Sequence, residues 1–197
     1  MNEEELIAGC VRGNSAAQRQ LYEKYAPKMM GVCLRYAGNR ETARDLLHDG
    51  FIRLFYKINT YKGDGSFEGW MRRLFINTAL EYLRKKDILD KYSEYSMIEQ
   101  SADYSVLERL SMNDLVAHIA AMPAGFRMVF NLYAVEGYSH FEIAKMLNIS
   151  ESTSRSQYTR ARNYLRKTVE ENVKNIKNIK KRNEGRDERY ISGVMGL

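Results

Sequence analysis

A chain of 197 residues with 44% hydrophobic residues is long enough to bury one or two small cores. Its 31 basic and 25 acidic side chains leave a net charge of +6, which favours polyanionic partners without identifying one. No apolar stretch approaches the roughly 20 residues of a membrane span, and the acidic start MNEEE lacks the layout of a signal peptide. Cys10 and Cys33 stand among apolar residues, typical of buried reduced thiols. We therefore expect a cytoplasmic protein.

Apolar residues recur at spacings of three and four along most of the chain, which predicts an all-α fold. A short first helix ends at Gly13, and a second begins at Ser15, where Gln18 completes a capping box. Pro27 should bend or interrupt that second helix, which ends at Gly38. A third helix is predicted from about residue 41 to 58 and a fourth, capped by Ser66, up to about residue 86.

The charge then changes sign. Between Asp87 and Asp114 there are seven acidic and two basic residues, and the middle of this stretch lacks a sustained apolar period. We therefore predict two small helical domains joined by a flexible acidic linker. Their expected bounds are 1–87 for an N-terminal helical bundle, 88–104 for the linker, 105–172 for a C-terminal four-helix domain and 173–197 for a basic, mobile tail.

Residues 139–162, SHFEIAKMLNISESTSRSQYTRAR, read as a helix-turn-helix. Ser139 and Glu142 form a capping box, Asn148 suits the turn because asparagine tolerates the left-handed conformation, and Ser150 caps the next helix. The outer and flanking faces of that last helix suit a DNA major groove, and their residues are Thr153, Arg155, Ser156, Thr159, Arg160 and Arg162. The alternative is an ordinary helical hairpin with a solvated arginine face.

Three segments together resemble bacterial sigma factors of the extracytoplasmic-function (ECF) group, the smallest members of the sigma-70 family. Residues 43–55, ARDLLHDGFIRLF, are similar to the helix that docks on the clamp helices of the largest subunit of RNA polymerase. Residues 65–86, GSFEGWMRRLFINTALEYLRKK, resemble the segment that opens and reads the minus-ten element. Residues 122–162 resemble the domain that binds the minus-thirty-five element, so the six outer residues above are its expected contacts.

The resemblance implies roles for two further sets of residues. Asp45 and Asp49, one helical turn apart, would pair with arginines of polymerase, beside His48 and Arg53, although a merely solvated acidic face has the same composition. Basic side chains would follow the DNA backbone at the minus-ten element, while polar and aromatic groups hold unstacked bases. The expected minus-ten residues are Lys62, Ser66, Phe67, Arg72, Arg73, Asn77, Glu81, Arg84 and Lys85. Trp70, at helical spacing with Phe67, is expected in the core.

Ser154 is a departure from the resembled pattern, which usually has an apolar residue there. We expect it either to bury a hydroxyl or to loosen the crossing of the two helices.

The resemblance therefore implies a non-enzymatic subunit that binds core RNA polymerase and promoter DNA and promotes transcription initiation. It also implies control by an anti-sigma factor, which in this family is often membrane-bound. Two alternatives remain open, a dimeric helix-turn-helix regulator and a nuclease. The three histidines are not spaced with carboxylates or cysteines as metal ligands are, so we expect no metal, no cofactor and no catalytic residue.

Overall fold

The computed structural model describes residues 2–85 and 112–169, and all regular structure in those ranges is helical, which confirms the predicted all-α class. The expected acidic linker, 88–104, and the expected basic tail, 173–197, lie outside the described residues. No helix within the two ranges combines the length and apolarity needed to cross a membrane.

Four helices make up the N-terminal group. They are α1 (Glu3–Val11), α2 (Ser15–Ala37), α3 (Arg40–Lys57) and α4 (Phe67–Lys85), and one turn of 3-10 helix at Ile58–Thr60 follows α3. The C-terminal group comprises α5 (Met112–Ala120), α6 (Ala124–Phe130), which continues as a π-helix at Asn131–Val135, α7 (His140–Leu147), and α8, helical over residues 151–169.

Two details of α2 differ from the sequence-based prediction. Asn14, not Ser15, caps the helix, and its side chain accepts a hydrogen bond from the Ala17 amide at 3.0 Å. Asparagine caps as well as serine does, so moving the start by one residue costs nothing. The helix also runs through Pro27 without interruption. Pro27 lies on the exposed side of α2, and the opposite side of the helix packs against α3 and α4.

The core of the N-terminal group lies where α2, α3 and α4 meet. A Cβ atom on Gly50 would lie 2.2 Å from the ring of Phe75, so glycine permits the close approach of α3 and α4. Cys10 and Cys33 are buried free thiols, as expected, and burial raises the pKa of Cys33 to about 12.

The hydrophobic core continues from the N-terminal group into the C-terminal group. Buried side chains of the C-terminal group join the same cluster, and these are Met128, Val129, Leu132, Ile143 and Leu147. A smaller cluster, formed by Ile119, Met122 and Ala161, ties α8 to α5. The two groups are therefore packed together over an apolar surface.

Candidate nucleic-acid interface

The caps and the turn predicted for the helix-turn-helix are confirmed. Ser139 and Glu142 form the capping box, in which the Ser139 amide donates to the Glu142 carboxylate at 2.8 Å. Asn148 ends α7 in the left-handed conformation, with φ 55° and ψ 47°. The Ser150 hydroxyl accepts from the Thr153 amide at 3.0 Å at the start of α8. Local hydrogen bonds therefore set the angle at which α8 leaves α7.

Ser154 buries its hydroxyl, the first of the two outcomes expected for it. The hydroxyl lies 2.9 Å from Nδ1 of His140, and both side chains are buried. The imidazole also stacks on the ring of Tyr133, with centroids 4.2 Å apart and planes inclined by 10°. Burial, followed by the positive charge of Arg155, lowers the pKa of His140. A hydrogen bond thus joins α7 to α8 where an apolar contact was the usual arrangement.

The outer face of α8 carries the residues expected to meet the minus-thirty-five element. Thr153 is half-buried, and the exposed members are Arg155, Ser156, Thr159, Arg160 and Arg162. Arg155 forms an ion pair with Glu151 one turn earlier, and the Arg162 guanidinium lies 5.9 Å from the centroid of the Tyr158 ring. These arginines are therefore held close to the helix surface but remain accessible to solvent.

The expected polymerase-binding residues lie on the exposed side of α3. Asp45, His48 and Asp49 are exposed, whereas Arg53 pairs with Glu81 of α4 at 2.6 Å. Two apolar side chains extend the same strip, Ile52 at 56% and Tyr56 at 84% exposure. Sequence reasoning missed both, although their spacing of seven and eleven from Asp45 places them on the same helical face.

The exposed strip of α4 carries most of the residues expected at the minus-ten element. Its exposed members are Arg73, Asn77, Glu81, Arg84 and Lys85, and Lys62 and Ser66 are exposed in the loop before the helix. The Ser66 hydroxyl accepts from the Gly69 amide at 3.1 Å, which confirms the predicted cap. Asn77 and Glu81 are one turn apart, so both project in the same direction.

Phe67 has a different environment from the other residues of this set. Its ring is only 1% exposed and packs against Tyr25, Tyr61 and Trp70. Phe67 therefore lies beneath the loop that precedes α4, and its part in binding the minus-ten element stays a prediction. Trp70 packs against the same core, as expected.

Arg72 forms hydrogen bonds with a residue of the C-terminal group. Its guanidinium donates to both carboxylate oxygens of Glu136, at 2.7 and 3.0 Å, and Arg35 of α2 donates to the same carboxylate at 3.2 Å. Arg84 donates to the backbone carbonyl of Met146 at 2.9 Å. Two of the expected minus-ten residues therefore contact α7 or the segment that precedes it.

A buried arginine completes the contact between the two groups. Arg127 of α6 donates to the carbonyl of Tyr36 at 3.1 Å, and Asn131 donates to the carbonyl of Arg35 at 2.8 Å. These bonds satisfy carbonyls at the end of α2 that have no partner within the helix. Sequence reasoning missed Arg35, Arg127, Asn131 and Glu136. An arginine among the inward-facing residues of α6 was the one signal available.

In the ranges 2–85 and 112–169, no three or more histidine, cysteine, aspartate or glutamate side chains are grouped so that they could hold a metal ion. The exposed groups offer charge and hydrogen bonds on helical faces, which suits partners larger than a small molecule.

Two family models match the chain, one over each helical group. The model described as Sigma-70 region 2 matches residues 21–88, and the model described as Sigma-70, region 4, matches residues 113–165. The first match spans the exposed residues of α3 and α4, and the second spans those of α8.

Curated relatives carry consistent names. The chain is 28% identical over 153 residues to the ECF RNA polymerase sigma factor SigE of Mycolicibacterium smegmatis, covering 75% of this chain and 59% of that relative's length. It is 26% identical over 181 residues to the RNA polymerase sigma-H factor of Pseudomonas aeruginosa, covering 85% of this chain and 94% of that protein.

A solved structure shares the fold. The sigma factor RpoE in complex with the anti-sigma factor NepR, from Bartonella quintana, aligns with a TM-score of 0.50 at 17% identity, covering 77% of this chain and 96% of that one.

Proposed function

The chain belongs to the ECF group of the sigma-70 family, and on that premise we propose which of its surfaces bind core RNA polymerase and which bind promoter DNA. Such a protein is not an enzyme: it binds core RNA polymerase, recognises promoter DNA and promotes transcription initiation. The observation that carries the proposal is the order of the two family matches along the chain. The first match includes the exposed residues of α3 and α4, and the second includes those of α8.

The acidic strip of α3 is our candidate for binding polymerase. Asp45, His48 and Asp49 present hydrogen-bonding groups to solvent, and Ile52 and Tyr56 add exposed apolar area. A polar rim around apolar anchors is the usual composition of a protein interface. The partner would be the clamp helices of the largest subunit, with arginines facing the two carboxylates. Arg53 would support this surface through its pair with Glu81.

The exposed strip of α4 and the preceding loop are our candidate for the minus-ten element. Arg73, Arg84 and Lys85 would contact phosphates, while Asn77 and Glu81 would read base edges. Lys62 and Ser66 would border a pocket for an unstacked base, with Phe67 beneath them as support. Arg72 would join the phosphate contacts once Glu136 has released it.

The outer face of α8 is our candidate for reading the minus-thirty-five element as duplex. Arg155, Arg160 and Arg162 would contact phosphates or guanine edges, and the hydroxyls of Thr153, Ser156 and Thr159 would make adaptable contacts. We assign residues 1–87 and 105–172 to the two functional domains, 88–104 to a linker and 173–197 to a tail.

Control by an anti-sigma factor belongs to the same proposal. The solved relative from Bartonella quintana is bound to such a protein. That regulator could itself be membrane-bound, while this chain would act in the cytoplasm with polymerase.

Reconstituted transcription tests the proposal. The full chain is mixed with core RNA polymerase, recovered as a complex, and assayed by run-off transcription over a promoter library. We expect a stable complex and transcripts that core polymerase alone does not produce. Failure to bind core polymerase, combined with dimeric binding to a palindromic duplex, would establish a conventional helix-turn-helix regulator instead.

A further inference from the structure

The Glu136 carboxylate joins the two helical groups. It follows the π-helix of the C-terminal group, is only 7% exposed, and accepts hydrogen bonds from Arg35 of α2 and Arg72 of α4. The two arginines come from different helices of the N-terminal group and form a fork around the Glu136 carboxylate, in which the Arg35 side chain is 15% exposed and the Arg72 side chain 35% exposed. One anion with two oxygens fills this fork.

The same fork suits a phosphodiester. A phosphate also presents two charged oxygens, and arginine guanidinium groups bind carboxylates and phosphates with the same bidentate geometry. Arg72 and Arg73 are neighbours on α4 and project from adjacent sides of the helix, about 100° apart, so an anion in the fork would lie beside the exposed strip. The fork therefore lies at the edge of the surface expected to meet DNA.

The contact around Glu136 is incompletely satisfied. Three buried polar atoms beside it have no hydrogen-bonding partner among the described residues: Nε of Arg35, the hydroxyl of Tyr36 and Oδ1 of Asn131. Buried polar groups without partners oppose the closed arrangement, because water would satisfy them once the groups separate. Removing the carboxylate from such an ion pair is strongly destabilising, because it leaves the two arginine charges partly buried and uncompensated. Such a contact is suited to opening.

A second contact with the C-terminal group lies near the other end of α4. Arg84 donates to the Met146 carbonyl at the end of α7. In this arrangement the C-terminal group therefore uses a basic residue at each end of the strip expected to meet the minus-ten element.

We propose that Glu136 is a latch: its carboxylate holds the two helical groups together by occupying an Arg35–Arg72 fork that takes a phosphate of promoter DNA when the groups separate. The identification of the bound DNA as promoter DNA rests on the proposed function, whereas the contact that closes the two groups does not depend on it. Binding of DNA phosphate and closure are mutually exclusive, because the fork holds one anion at a time.

The first test measures closure in the full chain. Small-angle X-ray scattering compares wild type with Glu136→Gln, which keeps the shape of the side chain and removes its charge. We expect a larger radius of gyration for the variant. Glu136→Asp is the second variant, because it keeps the charge but is too short to reach both arginines, and it should expand the chain as well. Circular dichroism confirms that each variant is folded.

The second test measures the phosphate site. Binding of each full-length protein to a fluorescein-labelled duplex of mixed sequence is followed by anisotropy over a series of salt concentrations. Glu136→Gln should bind roughly fivefold more tightly or better, the lower end of a typical coupling between two sites. Adding Arg72→Gln in that opened background should reduce the slope of log affinity against log salt by about 0.9, as expected when one phosphate is no longer neutralised.

Glu23→Gln is the matched control. Glu23 is an exposed acid that pairs with Arg19 on the same helix, so this variant has the same change in net charge without touching the contact. It should keep the wild-type radius and should not reproduce the gain in affinity.

Each outcome separates the latch from the proposed function. An unchanged radius for both Glu136 variants overturns the latch, even if the wild type binds core polymerase. Expansion without a change of slope on adding Arg72→Gln overturns the phosphate site. A wild-type chain that fails to bind core polymerase overturns the proposed function, while the scattering result still decides the latch.

Discussion

The hydroxyl of Ser154 lies 2.9 Å from Nδ1 of His140, and this buried bond joins the two helices of the helix-turn-helix. A serine at an inward-facing position of a recognition helix is costly unless its hydroxyl has a partner. His140, at the start of α7, provides that partner, and the ring of Tyr133 stacks on the imidazole and holds it in place. This pair, together with the buried Ala161, holds the inner face of α8 against the rest of the C-terminal group.

Ser154→Ala should destabilise the C-terminal group. The substitution leaves the buried Nδ1 of His140 without a partner, which costs about 1–3 kcal/mol. Thermal unfolding followed by circular dichroism measures the effect. Ser156→Ala is the control, because Ser156 is exposed and its hydroxyl donates to the Thr153 carbonyl within the same helix. Equal melting temperatures for Ser154→Ala and wild type would show that the buried bond contributes nothing.

Stability should fall as the pH is lowered below the ordinary pKa of histidine. The pKa of His140 is lowered in the folded protein by burial and then by Arg155, so over the range between the two pKa values the unfolded chain binds more protons than the folded one. The contribution of neutral His140 to stability is thus complete above about pH 6.5, the usual pKa of histidine. It is lost as the pH falls through the lower pKa that His140 has in the folded protein.

Chemical denaturation between neutral and mildly acidic pH measures that decrease in stability, with His140→Gln as the comparison. Glutamine offers a polar side chain that does not titrate, so the variant should lose less stability on acidification than wild type. Parallel pH profiles for the two proteins would contradict the prediction.

Gly50→Ala should disrupt the N-terminal group. The new Cβ would lie 2.2 Å from the Phe75 ring, and such overpacking costs about 1–3 kcal/mol. Gly31→Ala is the matched control within helix α2, because a Cβ there meets nothing within 4 Å. Alanine in an open helical position is more stable than glycine by roughly 0.5–1 kcal/mol. The two variants should therefore shift the melting temperature in opposite directions, and shifts of the same sign would contradict this account.

Reversing the charge of both Asp45 and Asp49 to lysine should weaken binding to core polymerase while leaving the fold intact, because both side chains are exposed. Bio-layer interferometry against immobilised core polymerase measures the affinity. A chain with Glu4→Lys and Glu23→Lys has the same change in net charge at exposed positions outside α3 and serves as the control. Wild-type affinity in the Asp45 and Asp49 variant would remove this helix from the interface.

Replacing Arg155 and Arg160 with glutamine should weaken binding to the upstream promoter element and flatten its salt dependence, by about 0.9 in slope for each phosphate that the variant no longer neutralises. Anisotropy on a duplex selected by the holoenzyme provides the measurement. Arg12→Gln with Arg40→Gln, at exposed positions of the N-terminal group, controls for net charge. If both proteins lose affinity equally, the arginines of α8 act only through the overall charge.

Local patterns predicted the helices well, because the interactions that form a helix connect residues within four positions of each other. The turn at Asn148 and the caps at Ser66, Ser139 and Ser150 follow from one or two neighbouring side chains. The start of α2 was missed by one residue because Asn14 and Ser15 are equivalent as caps in sequence. The exposed and buried faces could be listed from the helical period alone.

The sequence by itself therefore determined the class of fold, the helix-turn-helix and the family, since these depend on local periods, on caps and on residue patterns that are read along the chain. Only the tertiary structure decided that His140 supports Ser154 and that Glu136 occupies Arg35 and Arg72. Glu136 and Arg72 are 64 positions apart, and no local pattern records which helices approach one another. Their contact depends on how the apolar faces of both groups pack, because that packing brings the carboxylate to the arginines.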